Sequence, residues 1–225
     1  LGNNKGQKKL IIGGGSNILF TQNIKNLVIH VNTKGIKLKS TGKNSVLVSV
    51  AAGENWHNFV LWSLKNDFGG VENLSLIPGK VGAAPIQNIG AYGVELKDVF
   101  DSCEAIEIET GNIKTFSKSE CNFGYRESIF KNKLKNKYIV FTVNLRLSIA
   151  SHSIKTKYGT IVNELHKKNI TNPTIQDVSK AIINIRTSKL PDPKLIGNSG
   201  SFFKNPVVSK EALKVLKLNF SDIPS

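Results

Sequence analysis

Ile77-Pro-Gly-Lys-Val-Gly82-Ala-Ala-Pro-Ile-Gln-Asn-Ile-Gly-Ala-Tyr-Gly93 is the most informative stretch of the chain. Small residues occupy most of it, and Lys80 is its only charged side chain. A backbone with so few bulky side chains exposes its own amides and leaves room for a flat ligand. Gln87 and Asn88 can hydrogen-bond the heteroatoms of a planar ring, and the glycines can cradle a pyrophosphate. The alternative is a glycine-rich packing junction.

Upstream of it, Trp56, Phe59, Val60, Ser63 and Leu64 recur at helical spacing, which predicts a helix over 55–65 with Gly69 at its C-cap. Three β-rich runs precede that helix: Lys9 to Ile12, Leu27 to Val31 and Val46 to Ala51. The first feeds Gly13-Gly-Gly-Ser-Asn17, after which Ile18-Leu-Phe20 is expected to resume the strand. Three glycines let backbone N–H groups approach an anion closely. The offsets of a dinucleotide fingerprint and the Lys-Ser/Thr of a Walker loop are both missing, so a tight hairpin turn stays open as the other reading.

Downstream, Cys103 to Glu109 alternates, Thr110-Gly-Asn112 turns the chain and Ile113 to Phe116 returns as a hairpin partner. Ser117-Lys-Ser-Glu120 has capping-box spacing and is expected to start a short helix before Tyr125. Tyr138 to Leu147 alternates over ten positions and reads as a strand. Residues 148–171 turn polar and basic, as an insertion or a boundary would. Thr174 then caps a helix with Ile175, Val178, Ala181, Ile182 and Ile185 on one face, running to Arg186 and stopped by Leu190-Pro-Asp-Pro193. Ser209 caps a last helix around Ala212, Leu213 and Leu216. Strands and helices mix without βαβ alternation, so the expected class is α+β.

The chain has 225 residues, enough for one large domain or two modest ones, and a formal charge of +15 from 31 Lys and Arg against 16 Asp and Glu. Such a balance raises nucleic acid or an anionic ligand as partners. Only Arg126, Arg146 and Arg186 are arginines, however, and the lysines are scattered, whereas base readout favours the bidentate Arg fork. Cys103 and Cys121 share no CxxC spacing, and the four histidines never fall into HxH or HExxH, so neither a metal site nor a disulfide framework is expected. No apolar run approaches a membrane span, and the first ten residues lack a signal-peptide core. A cytoplasmic monomer acting on a small molecule, with no nucleic acid and no membrane, is the expectation. There is no Met, and the last helical pattern would need partners for its apolar face, so further natural residues are expected at both ends.

Two more stretches bear on chemistry. In Phe123-Gly-Tyr-Arg126 a scarce arginine stands beside Gly and Tyr, where its fork could fix a carboxylate; a surface ion pair is the bland alternative. In Gly197-Asn-Ser-Gly-Ser-Phe-Phe-Lys-Asn-Pro206 two aromatics follow a hydroxyl-rich turn, as at the mouth of a pocket. Neither Ser199 nor Ser201 lies in GxSxG, but a hydroxyl held in a dry site can protonate a carbanion.

Taken in order, Gly13-Gly-Gly-Ser-Asn17, Pro78-Gly-Lys-Val-Gly82, Pro85-Ile-Gln-Asn-Ile-Gly-Ala-Tyr-Gly93, Gly124-Tyr-Arg126 and Gly200-Ser-Phe-Phe-Lys-Asn-Pro206 resemble the UDP-N-acetylenolpyruvoylglucosamine reductase family over nearly the whole chain. The resemblance implies an FAD-binding fold of the vanillyl-alcohol-oxidase and p-cresol-methylhydroxylase type. Its two α+β subdomains would fall within 1–190, and a substrate-binding domain would begin in 191–225. It implies FAD and NADPH as cofactors and reduction of an enolpyruvyl ether of a UDP-sugar in peptidoglycan precursor synthesis. Cofactor contacts would fall on Gly13, Gly14, Gly15, Ser16, Asn17, Ile77, Pro78, Gly79, Gly82, Ala83, Pro85, Gln87, Asn88, Gly90, Ala91, Tyr92 and Gly93. Ser201 would be the proton donor and Arg126 would stabilise charge developing beside the substrate carboxylate. Tyr125, Tyr158, Lys189 and Asn205 would contact substrate, Tyr158 from a mobile basic loop. The family's third catalytic group, a glutamate near the C-terminus, has no match here; Glu211 follows Ser201 too closely to stand in for it.

Two rivals remain at this stage. One is another flavoprotein of the same superfold that oxidises a sugar or alcohol. The other is a basic nucleic-acid-binding module whose glycine loops are structural.

Overall fold

The computed structural model describes residues 6–198, 203–221 and 223. Its centre is a five-stranded antiparallel sheet built from β3 (Ile36–Thr41), β4 (Ser45–Ala51), β7 (Phe100–Glu107), β8 (Ile113–Ser117) and β9 (Tyr138–Ser148), in the order β3-β4-β9-β7-β8. The long β9 sits in the middle, pairing with β4 on one side and β7 on the other. Val143, Leu145 and Leu147 of β9 and Val46, Val48 and Val50 of β4 are all buried. Alternation at period two puts these side chains on one face, which is why the register cannot slip without exposing all of them.

That face is covered by α1 (Trp56–Lys65), whose buried residues are Trp56, Phe59, Val60, Ser63 and Leu64, the five expected from spacing. Asn55 caps it by accepting from the Asn58 N–H at 3.0 Å, and the Trp56 indole N–H donates to the Leu74 carbonyl at 2.9 Å. Its C-cap is Asn66 rather than Gly69, and the left-handed turn falls on Asp67 at φ 56°. Gly69 is instead drawn into a bridge with Ser148 at the end of β9.

A separate parallel pair, β1 (Lys9–Ile12) and β2 (Leu27–His30), stands beside this body. Ile18 to Phe20 forms no strand. Because β1 pairs in parallel with β2, the intervening chain must cross over instead of folding back as a hairpin, and Leu19 is left 79% exposed. Two further corrections are local. Ser117 and Glu120 do exchange capping-box hydrogen bonds, at 2.9 and 3.3 Å, but they close a turn with no helix behind it. Strand β3 escaped the sequence reading because it is an exposed edge carrying Lys37 and Lys39, with a bulge between Leu38 and Ser40.

The polar stretch 148–171 contains a short helix, α2 (Gly159–His166), that packs on α3 (Ile175–Lys189) through a small second core of Ile161, Leu165, Val178, Ala181, Ile182 and Ile185. Thr174 and Asp177 form a complete capping box at the start of α3, which runs three residues beyond Arg186. Buried hydroxyls of Ser75 and Ser179 meet at 2.8 Å and tie α3 to the loop that leads into Ile77. Two short strands, β5 (Gly90–Ala91) and β6 (Val94–Glu95), pair in that region, and α4 (Lys210–Asn219), capped by Ser209, closes the described chain. No helix of the described residues is long and apolar enough to cross a membrane.

Candidate functional site

The glycine turn after β1 folds onto the 77–93 stretch. Asn17 donates from its side-chain amide to Gln87 at 3.3 Å, joining positions 70 residues apart. A Cβ on Gly13 would stand 3.5 Å from the Lys80 stem, one on Gly14 would stand 3.6 Å from the Gly79 backbone, and one on Gly79 would approach the Ser16 hydroxyl to 3.1 Å. Gly79 also has φ 112°, which an L side chain rarely adopts. Glycine is thus demanded at position 79, whereas a Cβ at Gly13 or Gly14 would make ordinary van der Waals contact. Between the β1–β2 pair and the central sheet the two segments border a cleft of about 200 Å³, lined among others by Ile12, Gly13, Lys80, Gly82, Ala83 and Tyr138.

Further along, Asn88 is fully buried at φ 46°, donates to the Gly124 carbonyl at 2.9 Å and accepts from the Lys97 N–H at 3.0 Å. Its side chain is thus spent inside the protein, where it docks the 123–126 segment on the 85–93 segment. Pro85 is likewise buried, whereas Gln87 is only half-buried. Ser128 adds a second link, donating to the Ile86 carbonyl at 2.6 Å.

These links carry Arg126, itself at φ 55°, to Gly90, whose carbonyl accepts from the Arg126 guanidinium. A left-handed conformation at a bulky residue persists only where surrounding contacts over-determine it. The guanidinium also lies 5.2 Å from the Tyr125 ring centroid. Lys204 also approaches the same tyrosine, 5.6 Å from the ring centroid, and pairs with Glu127 at 3.7 Å. Hydrogen bonding from Asn132, followed by Lys131 and Lys204, holds the Glu127 carboxyl below the usual range. The segment expected to carry the proton donor is thereby tethered near Arg126, although Ser201 itself lies outside the described residues.

Tyr158 caps the entrance to α2, 54% exposed, with its ring edge-on to Tyr92 at 5.5 Å between centroids. Tyr92 has φ 50°, and its carbonyl accepts from the buried Asn73 amide, which also donates to the Lys155 carbonyl. Lys189 is exposed at the end of α3, and Asn205 is exposed beyond it.

Two residues of this neighbourhood escaped the sequence reading. Arg186 lies four residues after Ile182, at the margin of the buried stripe of α3, and its charge acts on both Tyr92 and His57. Burial raises the Tyr92 hydroxyl, an effect Arg186 opposes. Burial first and Arg186 second push the His57 imidazole down, while its Nδ1 accepts from the Leu76 N–H at 3.0 Å. Four-residue spacing from Ile182 was a usable signal for Arg186; nothing local marked His57.

Comparison with known proteins gives a consistent picture. The family model described as FAD binding domain matches residues 1–117. The chain is 55% identical over 220 residues to UDP-N-acetylenolpyruvoylglucosamine reductase of Flavobacterium johnsoniae, covering 98% of this chain and 65% of that protein. It is 50% identical over 216 residues to the Amoebophilus asiaticus reductase of the same name, covering 96% and 63%. With the Pseudomonas aeruginosa reductase the identity is 46% over 223 residues, covering 99% and 65%. The chain thus spans a little under two thirds of the length of these curated relatives. The crystal structure of the Thermus caldophilus reductase superposes with a TM-score of 0.62 at 21% identity, over 96% of this chain and 69% of that one.

Proposed function

Because the chain belongs to the FAD binding domain family, we propose that it forms the flavin-binding part and the start of the substrate-binding part of an NADPH-using UDP-N-acetylenolpyruvoylglucosamine reductase. Identity of 46–55% to proteins of that name over almost the whole chain supports the substrate assignment. The single structural observation behind it is the convergence of Gly13–Asn17, Ile77–Gly93 and Arg126 on one region from distant parts of the chain.

The residues present fit a flavin dinucleotide. A Cβ at Gly79 would crowd the Ser16 hydroxyl, and Gly15 and Gly79 adopt φ 70° and 112°, so the backbone here stays bare and its amides can face a diphosphate. Gln87, tied to Asn17, is only half-buried and can serve a flat ring, whereas Asn88 supports the wall from behind. When bound, the flavin supplies the hydride chemistry that no side chain can.

Arg126 is the group we assign to the charge that develops next to the substrate carboxylate. Its fork is braced by Gly90 and Tyr125, so it need not reorganise as charge appears, and preorganised donors of this kind carry much of an enzyme's rate enhancement. Ser201 is assigned as the proton donor, supported by the tether of Lys204 to Tyr125 and Glu127. Tyr158 and Lys189 are assigned to the substrate diphosphate, Tyr125 and Asn205 to substrate binding, and residues 191 onward to the substrate-binding domain.

The test separates two half-reactions in the full enzyme. Ser201→Ala should still take electrons from NADPH at the normal rate, seen as bleaching of flavin absorbance, and should lose turnover of the enolpyruvyl nucleotide sugar. Equal slowing of both steps would remove the proton-donor assignment. A protein that binds no FAD would remove the flavoenzyme reading altogether.

A further inference from the structure

Lys80 stands alone as a charge in the 77–93 stretch, and its position is unusual. Its stem lies along the glycine turn, with Cβ and Cγ 3.5 Å from where a Gly13 side chain would begin and Cγ 3.7 Å from the same point on Gly14. Its backbone bridges to Asn55, and the next N–H, of Val81, donates to the Glu54 carbonyl, so the residue is fixed at both ends of its own peptide. It lines the cleft beside Gly13 and Gly82. Lys34 lies close enough for its charge to act on Lys80 and is held by a 2.7 Å hydrogen bond to the Gly53 carbonyl and by Glu54 at 3.7 Å.

The geometry points to Lys80, with Lys34 close by, as the cation that holds the diphosphate of the dinucleotide in the cleft beside Gly13. This rests on the cleft being the flavin site. Glu54 is the carboxylate that acts on both ammonium groups, so the pair keeps an excess of positive charge beside Gly13 and Gly14. Burial and the Lys34 ammonium both hold Lys80 below the usual lysine range, with Glu54 opposing them only weakly. A bound dianion relieves that repulsion and returns the missing counter-charge, the use to which a lysine beside a glycine loop is well suited. Amides alone supply partial charges; Lys80 adds a full one.

The experiment is a fluorescence titration of the purified protein with FAD and, separately, with riboflavin, which has the ring but no phosphate. Lys80→Met keeps the stem against the glycine turn and removes the charge; Lys80→Arg keeps a cation. The expected result is FAD binding roughly tenfold to a hundredfold weaker in Lys80→Met, with a shallower salt dependence. Riboflavin affinity should be unchanged, and Lys80→Arg should stay close to the parent. FAD affinity unchanged in Lys80→Met, or FAD and riboflavin weakened equally, overturns the assignment of Lys80 alone. No FAD binding by the parent protein overturns the flavin site and this inference together.

Discussion

The Arg126 guanidinium donates to the Gly90 carbonyl, and a Cβ at position 90 would lie 2.7 Å from its Nη1. The arginine and the absence of a side chain opposite it are one device, since a Cβ at position 90 requires the guanidinium to move. In the full-length reductase proposed above, Gly90→Ala should therefore displace the guanidinium and reduce turnover of the enolpyruvyl nucleotide sugar by about a hundredfold or more while the fold persists. Arg126→Lys should be comparably impaired, because a point charge cannot reproduce the planar fork. Steady-state kinetics alongside circular dichroism checks both, and a Gly90→Ala enzyme with normal kcat would refute the coupling.

Asn88 offers a stability prediction. Its amide spans two backbone groups from a fully buried site, so Asn88→Ala leaves the Gly124 carbonyl and the Lys97 N–H without their partner. The expected loss is about 2–4 kcal/mol, read from urea unfolding, since each orphaned buried group costs about 1–3 kcal/mol. A loss within experimental error would show that the loops dock without it.

His57 should make stability depend on acid. Its pKa is depressed in the folded protein by burial and by Arg186. The unfolded chain then takes up a proton first, so the contribution is fully present above the unfolded value of about 6.5 and is lost as pH falls through the lower folded value. His57→Asn, which can still accept from the Leu76 N–H, should flatten urea midpoints across that window. Parallel pH profiles for parent and variant would count against the assignment.

Tyr158 packs edge-on against Tyr92 from an exposed position, so its removal should touch substrate binding more than the fold. In the full-length reductase proposed above, Tyr158→Ala should raise KM for the nucleotide sugar about tenfold or more with a thermal midpoint shifted by little, surface substitutions usually costing no more than about 0.5 kcal/mol. Tyr158→Phe keeps the ring contact and isolates the hydroxyl. A variant with unaltered KM would place Tyr158 outside the substrate path.

Elements whose signal is burial were readable from the chain. Trp56, Phe59, Val60, Ser63 and Leu64 name the inner face of α1, and the alternation of Tyr138 to Leu147 names the central strand. Elements defined by what lies next to them were not. The edge strand β3 has little buried side chain to reveal it, Ile18 to Phe20 is apolar yet unpaired, and the Ser117–Glu120 box caps no helix. In the site, glycine-rich segments announced themselves by composition, whereas Asn88 changed meaning once both ends of its amide proved to be occupied by backbone.

By itself the chain determined which residue types had to come together: glycines that allow backbone approach, a rare arginine, and hydrophobic periods that define one core. The tertiary structure decided the pairings, Asn17 with Gln87, Arg126 with Gly90, Lys80 against Gly13, across as many as 70 residues of sequence. The reason is physical. Periodicity and propensity act over a few residues, whereas a hydrogen bond or a close contact between distant segments exists only after the sheet and its register have placed them within reach.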